Sequence, residues 1–161
     1  VIYKNCVIKG VTTLYGKATF INCTFENTMD DQYSIWTWGS TDVTFEGCTF
    51  NTNGKAILLY GGSNNTATPI SLVVNNCVFN DRRNGAAGKA AIEVGNDYGA
   101  SYLLTINNAT VNGFCVNAND TKEYNIPTGT ALWANKDGKK VFNGVQTQIT
   151  VTIDGTVTYS K

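Results

Sequence analysis

The chain has no histidine among its 161 residues, and its charges are few and balanced, with twelve basic and twelve acidic side chains. Without histidine, the sequence cannot form a Ser-His-Asp or Cys-His catalytic arrangement, and it lacks the usual proton-transfer group near neutral pH. A formal net charge of zero provides no overall field for nucleic acid or an anionic membrane. No apolar run reaches the ~20 residues of a transmembrane helix. We therefore expect no nucleic-acid partner and no membrane insertion.

The chain does contain a short sequence motif, called the phrase below, that recurs six times. It consists of two runs of alternating apolar and polar residues joined by a central Asn or Gly. The copies are VIYKNCVIKG, ATFINCTFEN, DVTFEGCTFN, LVVNNCVFND, LTINNATVNG and VTIDGTVTYS. Alternation with a period of two is typical of half-buried strands, and a strand repeat joined by loops of unequal length indicates a solenoid.

Aligning the copies on their central residue predicts which columns point inward. The central column contains Asn5, Asn22, Gly47, Asn76, Asn108 and Gly155. Two residues earlier lies an apolar column of Tyr3, Phe20, Phe45, Val74, Ile106 and Ile153. Two further inward columns follow the centre, one of Cys6, Cys23, Cys48, Cys77, Ala109 and Thr156, the other of Ile8, Phe25, Phe50, Phe79, Val111 and Thr158. We interpret the Asn column as a ladder of stacked side-chain amides inside the tight turn.

A third short strand follows each loop, in the segments TTLYG, SIWTWG, AILLYG, AIEVG and TALWAN. We expect Leu14, Ile35, Ile57, Ile92 and Leu132 to point inward there. The predicted fold class is all-β, a right-handed single-stranded parallel β-helix (solenoid) with three strands per coil, about five to six coils, and internal Asn and Cys ladders. Residues 1–161 are predicted to form a single β-helix domain, a fragment of a larger protein.

The cysteines allow two interpretations. Cys6, Cys23, Cys48 and Cys77 share an inward column, and neighbours one strand spacing apart lie within the Cα range of a disulfide. The interpretation we favour is that these small, polarizable side chains fill the core as free thiols. A zinc site is not expected, since the chain has neither histidine nor a Cys-x-x-Cys pair. Cys115 lies outside the column.

The phrase xFxNCTFxN, followed by an AILLYG-like strand, resembles the pectate-lyase-like β-helix superfamily over nearly the whole chain. More narrowly, it is similar to the β-helix domains of large surface and secreted proteins of gut bacteria. This resemblance implies an extracellular or cell-surface location on a bacterium. The superfamily includes polysaccharide lyases, glycoside hydrolases, phage tailspikes and adhesins, so the resemblance leaves the activity open. Members that cleave acidic polysaccharide carry calcium-binding carboxylates on the third-strand face, and here that comparison points to Glu93 and Asp97.

An aromatic surface is the sharper functional signal. The alternation of the third strands places Tyr15, Trp36, Trp38, Tyr60 and Trp133 on the outside. Rings at strand spacing can stack on sugar faces, while hydrogen bonds to sugar hydroxyls would come from Glu93, Asn96, Asp97 and Asn135. Two alternatives remain open: the rings form a protein interface, or the loops 112–129 and 136–148 bury them.

We therefore predict a non-catalytic adhesion or carbohydrate-binding β-helix module of the bacterial cell surface, with polysaccharide or glycoprotein glycan as its partner. The alternatives are a polysaccharide lyase or glycoside hydrolase acting on the same face with Glu93 and Asp97, and a structural spacer or protein-interaction domain. We expect no cofactor, and calcium only in the lyase alternative. An exposed solenoid end has unpaired strand edges, so we also expect further chain at the first coil or a homodimer through the ends.

Overall fold

The computed structural model describes residues 1–39, 41–61, 65–95, 100–115, 123–124, 131–135, 141–142 and 145–160. These residues form strands and turns and no helix, so the described part of the chain contains nothing long and apolar enough to cross a membrane as a helix. The strands are β1 (Ile2–Lys4), β2 (Val7–Lys9), β3 (Thr12–Leu14), β4 (Lys17–Ile21), β5 (Thr24–Glu26), β6 (Ile35–Thr37), β7 (Asp42–Glu46), β8 (Thr49–Thr52), β9 (Ile57–Leu59), β10 (Asn65–Asn75), β11 (Val78–Asp81), β12 (Ile92–Val94), β13 (Ala100–Asn107), β14 (Thr110–Asn112), β15 (Glu123–Tyr124), β16 (Trp133–Asn135), β17 (Val141–Phe142), β18 (Val145–Gln146), β19 (Gln148–Ile153) and β20 (Thr156–Ser160).

Three sheets of stacked strands make up most of the architecture, and β17 and β18 pair antiparallel in a separate two-stranded sheet. The first sheet has the order β1-β4-β7-β10-β13-β19-β20, the second β14-β11-β8-β5-β2, and the third β15-β16-β12-β9-β6-β3. Each of the first five repeats contributes one strand to each sheet in turn, and equivalent strands pair in parallel. The prediction of an all-β fold with parallel strand ladders is confirmed, and the arrangement is consistent with a β-helix solenoid.

The core consists of identical or similar side chains stacked on one another along the sheets. Phe20 stacks on Tyr3 and on Phe45, with ring centroids 4.9 and 5.1 Å apart. A second stack, from Phe25 through Phe50 to Phe79, has centroid distances of 4.6 and 4.8 Å. These distances match the spacing of paired strands, because parallel, in-register pairing places equivalent residues directly above one another.

The turn between the first and second strands requires a left-handed backbone. Asn5, Asn22, Asn76 and Asn108 have φ between 49° and 54°, and Gly47 replaces Asn with a φ of 62°. Asn is the residue other than Gly that tolerates this conformation best, which explains the central column of the repeat. A Cβ at Gly47 would lie 2.5 Å from the Asn22 Oδ1, so Gly47 also leaves room for the preceding amide.

The amide ladders lie on the outer surface, contrary to the predicted internal Asn ladder. Asn22, Asn76 and Asn108 are exposed. Asn108 Nδ2 donates to Asn76 Oδ1, and Asn76 Nδ2 donates to Glu46 Oε1, each at 2.8 Å. The left-handed turn directs these side chains away from the core. The predicted stacking of the amides is therefore present, but the ladder lies outside the core and not inside it.

A second ladder, unpredicted, follows the outer face of the second sheet. Asn112 Nδ2 donates to Asn80 Oδ1 and Asn80 Nδ2 to Asn51 Oδ1, each at 2.8 Å, and Asn51 Nδ2 donates to Glu26 Oε1 at 2.6 Å. Each amide therefore links two adjacent repeats, and each hydrogen bond points toward the earlier repeat.

The last copy of the phrase folds differently from the others. Asp154 and Gly155 have φ values of 47° and 78°, and the chain reverses there so that β20 pairs antiparallel with β19. The prediction that Thr156 and Thr158 lie in core columns of a second strand is wrong, since both are exposed. An Asp-Gly pair with two left-handed residues forms the tight hairpin turn whose twist matches the strands it joins.

The cysteine column lies inside, as predicted. Cys23, Cys48 and Cys77 are buried, Cys6 is half-buried and Cys115 is exposed, and none of the five forms a disulfide. Burial raises the pKa of Cys23, and the neighbouring Cys48 thiol together with burial raises the pKa of Cys77. Those two thiols therefore stay protonated and act as small core side chains.

Candidate functional site

The outer surface of the third sheet is set by the register of its short strands. Ile35, Ile57 and Ile92 pair with one another and point inward. Side chains alternate along a strand, so the residues that follow them point outward. The outer column thus contains Thr13, Trp36, Leu58, Glu93 and Ala134.

An aromatic cluster stands at the open side of this column, formed by Trp36, Trp38 and Tyr60. The Trp38 and Tyr60 rings lie 5.0 Å apart at an interplanar angle of 32°, and Trp36 meets Tyr60 edge-on at 5.7 Å. Trp38 remains 44% exposed although Tyr60 packs against it, and Tyr15 in the preceding repeat is 74% exposed. An indole that is supported on one side and open on the other is a suitable stacking surface for a ligand ring.

Backbone hydrogen bonds hold the cluster on the sheet. The Trp38 N–H donates to the Leu14 carbonyl at 3.0 Å, which extends the pairing of β3 with β6 by one residue. The Tyr60 N–H donates to the hydroxyl of Thr37, a fully buried residue, at 2.9 Å. The first bond continues the parallel ladder and the second ends on a buried side chain, so both rings are anchored to the packed strands.

Trp133 and Asn135 do not belong to this surface, and their predicted outward placement is wrong. Trp133 pairs with Ile92 in the inward column, is 0% exposed and packs edge-on against Tyr159 at 5.0 Å. Asn135 pairs with Val94 and is 3% exposed. The register differs by one residue from the predicted one, which exchanges the two faces of the strand.

Glu93 does lie in the outer column, yet it is buried. Its side chain is 1% exposed, its Oε2 accepts a short hydrogen bond from the Tyr33 hydroxyl, and its Oε1 lies 4.0 Å from the Lys89 Nζ. The Lys55 ammonium stands 5.7 Å from the centre of the Tyr33 ring. A carboxylate enclosed in this way links the segment before β6 to β12 and offers no open face to a glycan.

The remaining predicted residues bear on metal binding and catalysis. Asn96 and Asp97 lie outside the described residues, as does most of the two loops expected to cover the rings. Among the described residues, no three or more Cys, Asp or Glu side chains group in a way that could hold a metal ion. The calcium site with Glu93 and Asp97 therefore stays a prediction.

Sequence reasoning missed Tyr33 and Lys89 as the partners of Glu93. Tyr33 precedes β6 and reaches Glu93 on β12, two strands away in the third sheet. No local pattern connects residues so distant in sequence. The spacing of Lys89 and Glu93 would suggest a contact only on a helix, whereas here the two residues approach each other where the chain enters β12.

Comparisons with known proteins do not extend these observations. The chain matches no protein-family model, no curated protein and no solved structure.

Proposed function

We propose that this chain is a non-catalytic carbohydrate-binding module that uses the aromatic cluster and Tyr15 as its binding surface. The supporting observation is the exposure of Trp38, an indole held by strand pairing and backed by Tyr60. Trp and Tyr are enriched at binding surfaces because each combines a large apolar ring with a polar group, and a sugar ring can stack on such a ring.

The proposal includes a right-handed parallel β-helix of the pectate-lyase-like superfamily, in a secreted or cell-surface protein of a bacterium. The support is the xFxNCTFxN phrase together with three parallel strand ladders. A role without catalysis is favoured because Glu93, the carboxylate on which a lyase or hydrolase would depend, is enclosed by Tyr33 and Lys89. Adhesion to polysaccharide or to glycoprotein glycans follows from this surface.

The test is tryptophan fluorescence during titration with a panel of plant, host and microbial polysaccharides. Of the three tryptophans, Trp133 is buried, so a ligand-dependent change in emission would come from Trp36 and Trp38. We expect saturable binding by at least one glycan. Trp38→Ala should weaken that binding about tenfold, as expected when an exposed aromatic anchor is truncated.

The matched control is Leu103→Ala. Leu103 is 41% exposed, close to the 44% of Trp38, but it lies on the first sheet, away from the cluster. This variant should bind like the wild type. A panel without any binder, or an equal loss in both variants, would refute the proposal.

A further inference from the structure

A cleft of about 670 Å³ opens beside the second sheet, away from the aromatic cluster. It lies where the loop that follows β5 extends over the first repeat, and its lining residues are Lys9, Gly10, Glu26, Asn27, Thr28 and Met29. The volume falls within the ~300–1,000 Å³ range of small-molecule sites. A Cβ at Gly10 would meet no atom within 4 Å, so the floor of the cleft is open at this point.

The loop that forms the upper wall is fastened to the rest of the protein. The buried Asn27 side chain donates to the Gln32 carbonyl at 2.9 Å and accepts from the Met29 N–H at 3.0 Å. Asn53, from the following repeat, donates from its Nδ2 to the Thr28 carbonyl at 2.7 Å. The two Asn27 bonds lie within the loop, and the Asn53 bond attaches it to the following repeat. The cleft is therefore part of the folded structure.

Among the charged residues that line the cleft, Glu26 is paired with a cation from outside it and Lys9 is in no ion pair with a described residue. Glu26 accepts from Asn51 at 2.6 Å and is paired with Arg82, whose Nη1 also donates to the Asn51 carbonyl at 3.0 Å. Lys9 is the in-register neighbour of Glu26 on β2, but within the described part of the chain its ammonium has no ion pair and no hydrogen bond. Arg82 forms the ion pair with the carboxylate. After Asn51 and Arg82, the Lys9 ammonium contributes to the lowered pKa of Glu26 without pairing with it, and so it is available to a ligand.

An apolar side chain also lines this cleft. Met29 is 48% exposed at the cleft, and its flexible thioether can pack against a ring or an alkyl chain. One free ammonium, one apolar contact and the hydroxyl of Thr28 complement a molecule with one negative group and an apolar body. We propose that this cleft is a second binding site, for a small organic carboxylate whose anion pairs with Lys9 and whose apolar part lies on Met29.

Benzoate, with benzamide as its neutral counterpart, is the probe for this site. We would titrate each into the full ¹⁵N-labelled chain and follow the backbone amides by two-dimensional NMR. We expect benzoate to shift the amides of Gly10, Thr28 and Met29 with a Kd on the order of 1–10 mM, as befits so small a ligand. Benzamide should bind at least about tenfold more weakly, because it cannot pair with the ammonium.

Two lysine variants decide whether Lys9 is responsible. Lys9→Gln should weaken benzoate binding about tenfold, whereas Lys17→Gln removes an equal charge from the first sheet, where Lys17 pairs with Asp42 at 2.9 Å, and should leave binding unchanged. Equal shifts with benzoate and benzamide, equal effects of the two variants, or no shift of these amides would each overturn the assignment. Neither lysine lies in the aromatic cluster, so this result is independent of the glycan test.

Discussion

Truncation of the buried indole of Trp133 should cost much more stability than truncation of the exposed indole of Trp38. Trp133→Ala removes a ring that is 0% exposed and packs against Tyr159. Such a substitution loses the burial of the ring and leaves a cavity, which together cost about 3–5 kcal/mol. Trp38→Ala removes a ring with 44% of its surface in solvent, and we expect a cost below about 1 kcal/mol.

Urea denaturation and calorimetry of the two variants provide the measurement. In a chain of this length, 1 kcal/mol shifts the Tm by about 2–4 °C, so Trp133→Ala should lower it by roughly 6–20 °C. The loss should be concentrated where β16 lies, because repeat proteins hold each unit mainly through its neighbours. Hydrogen exchange should therefore quicken first around β12 and β16.

The same pair of variants tests the register of the third sheet. If Trp133 pointed outward, both substitutions would cost little stability and both would reduce glycan binding. Equal stability loss in the two variants, or a Trp133→Ala protein with wild-type Tm, would refute the inward register. Iodide quenching offers an independent check, since the emission of Trp133 should be inaccessible in the wild-type protein.

Two further predictions concern stability. Gly54→Ala should destabilise the protein by about 1–3 kcal/mol more than Gly10→Ala, because both glycines have a left-handed φ while only at Gly54 would the new Cβ overlap the Ala87 Cβ; equal denaturation midpoints would contradict this. The Asn51 amide holds the pKa of Glu26 below its ordinary value of 4.5, with Arg82 contributing. The stabilisation from Glu26 is therefore complete above pH 4.5 and is lost as the pH falls through the lower folded-state pKa. Between pH 5 and pH 3, the free energy of unfolding should therefore fall less in Glu26→Gln than in the wild type. If the two proteins lost the same stability over this range, the proposed contribution of ionised Glu26 would be wrong.

The parallel strands of the first and second sheets could be predicted residue by residue, because apolar and polar positions alternate along most of them. In KATFI and DVTFE, the inward residues are separated by Thr, and DVTFE is also bounded by an acidic residue at each end. Such a segment has a single register that buries its apolar side. The columns through Phe20, Phe45 and Phe50 were therefore predicted correctly.

The third sheet could not be predicted in the same way. In ILL and WAN, all three residues are buried, so hydrophobicity does not distinguish the two faces. A shift of one residue is then invisible in the sequence, and it moved Trp133 and Asn135 inside. The Asp154–Gly155 hairpin, in contrast, did carry a signal, since Asp-Gly between alternating residues favours a tight antiparallel turn.

The side-chain amides of the ladders all point the same way along the stack. From Asn112 to Asn51, every N–H is directed toward the earlier repeat, and the series ends on the carboxylate of Glu26. Aligned amide dipoles add up, so each ladder resembles a helix dipole in a protein without a helix in its described part. Glu26 and Glu46 then stand at the positive ends of their ladders, as acidic residues do at a helix N-terminus. The summed dipole of each ladder therefore points along the stack of repeats, with its positive end at the earlier repeats and its negative end at the later ones.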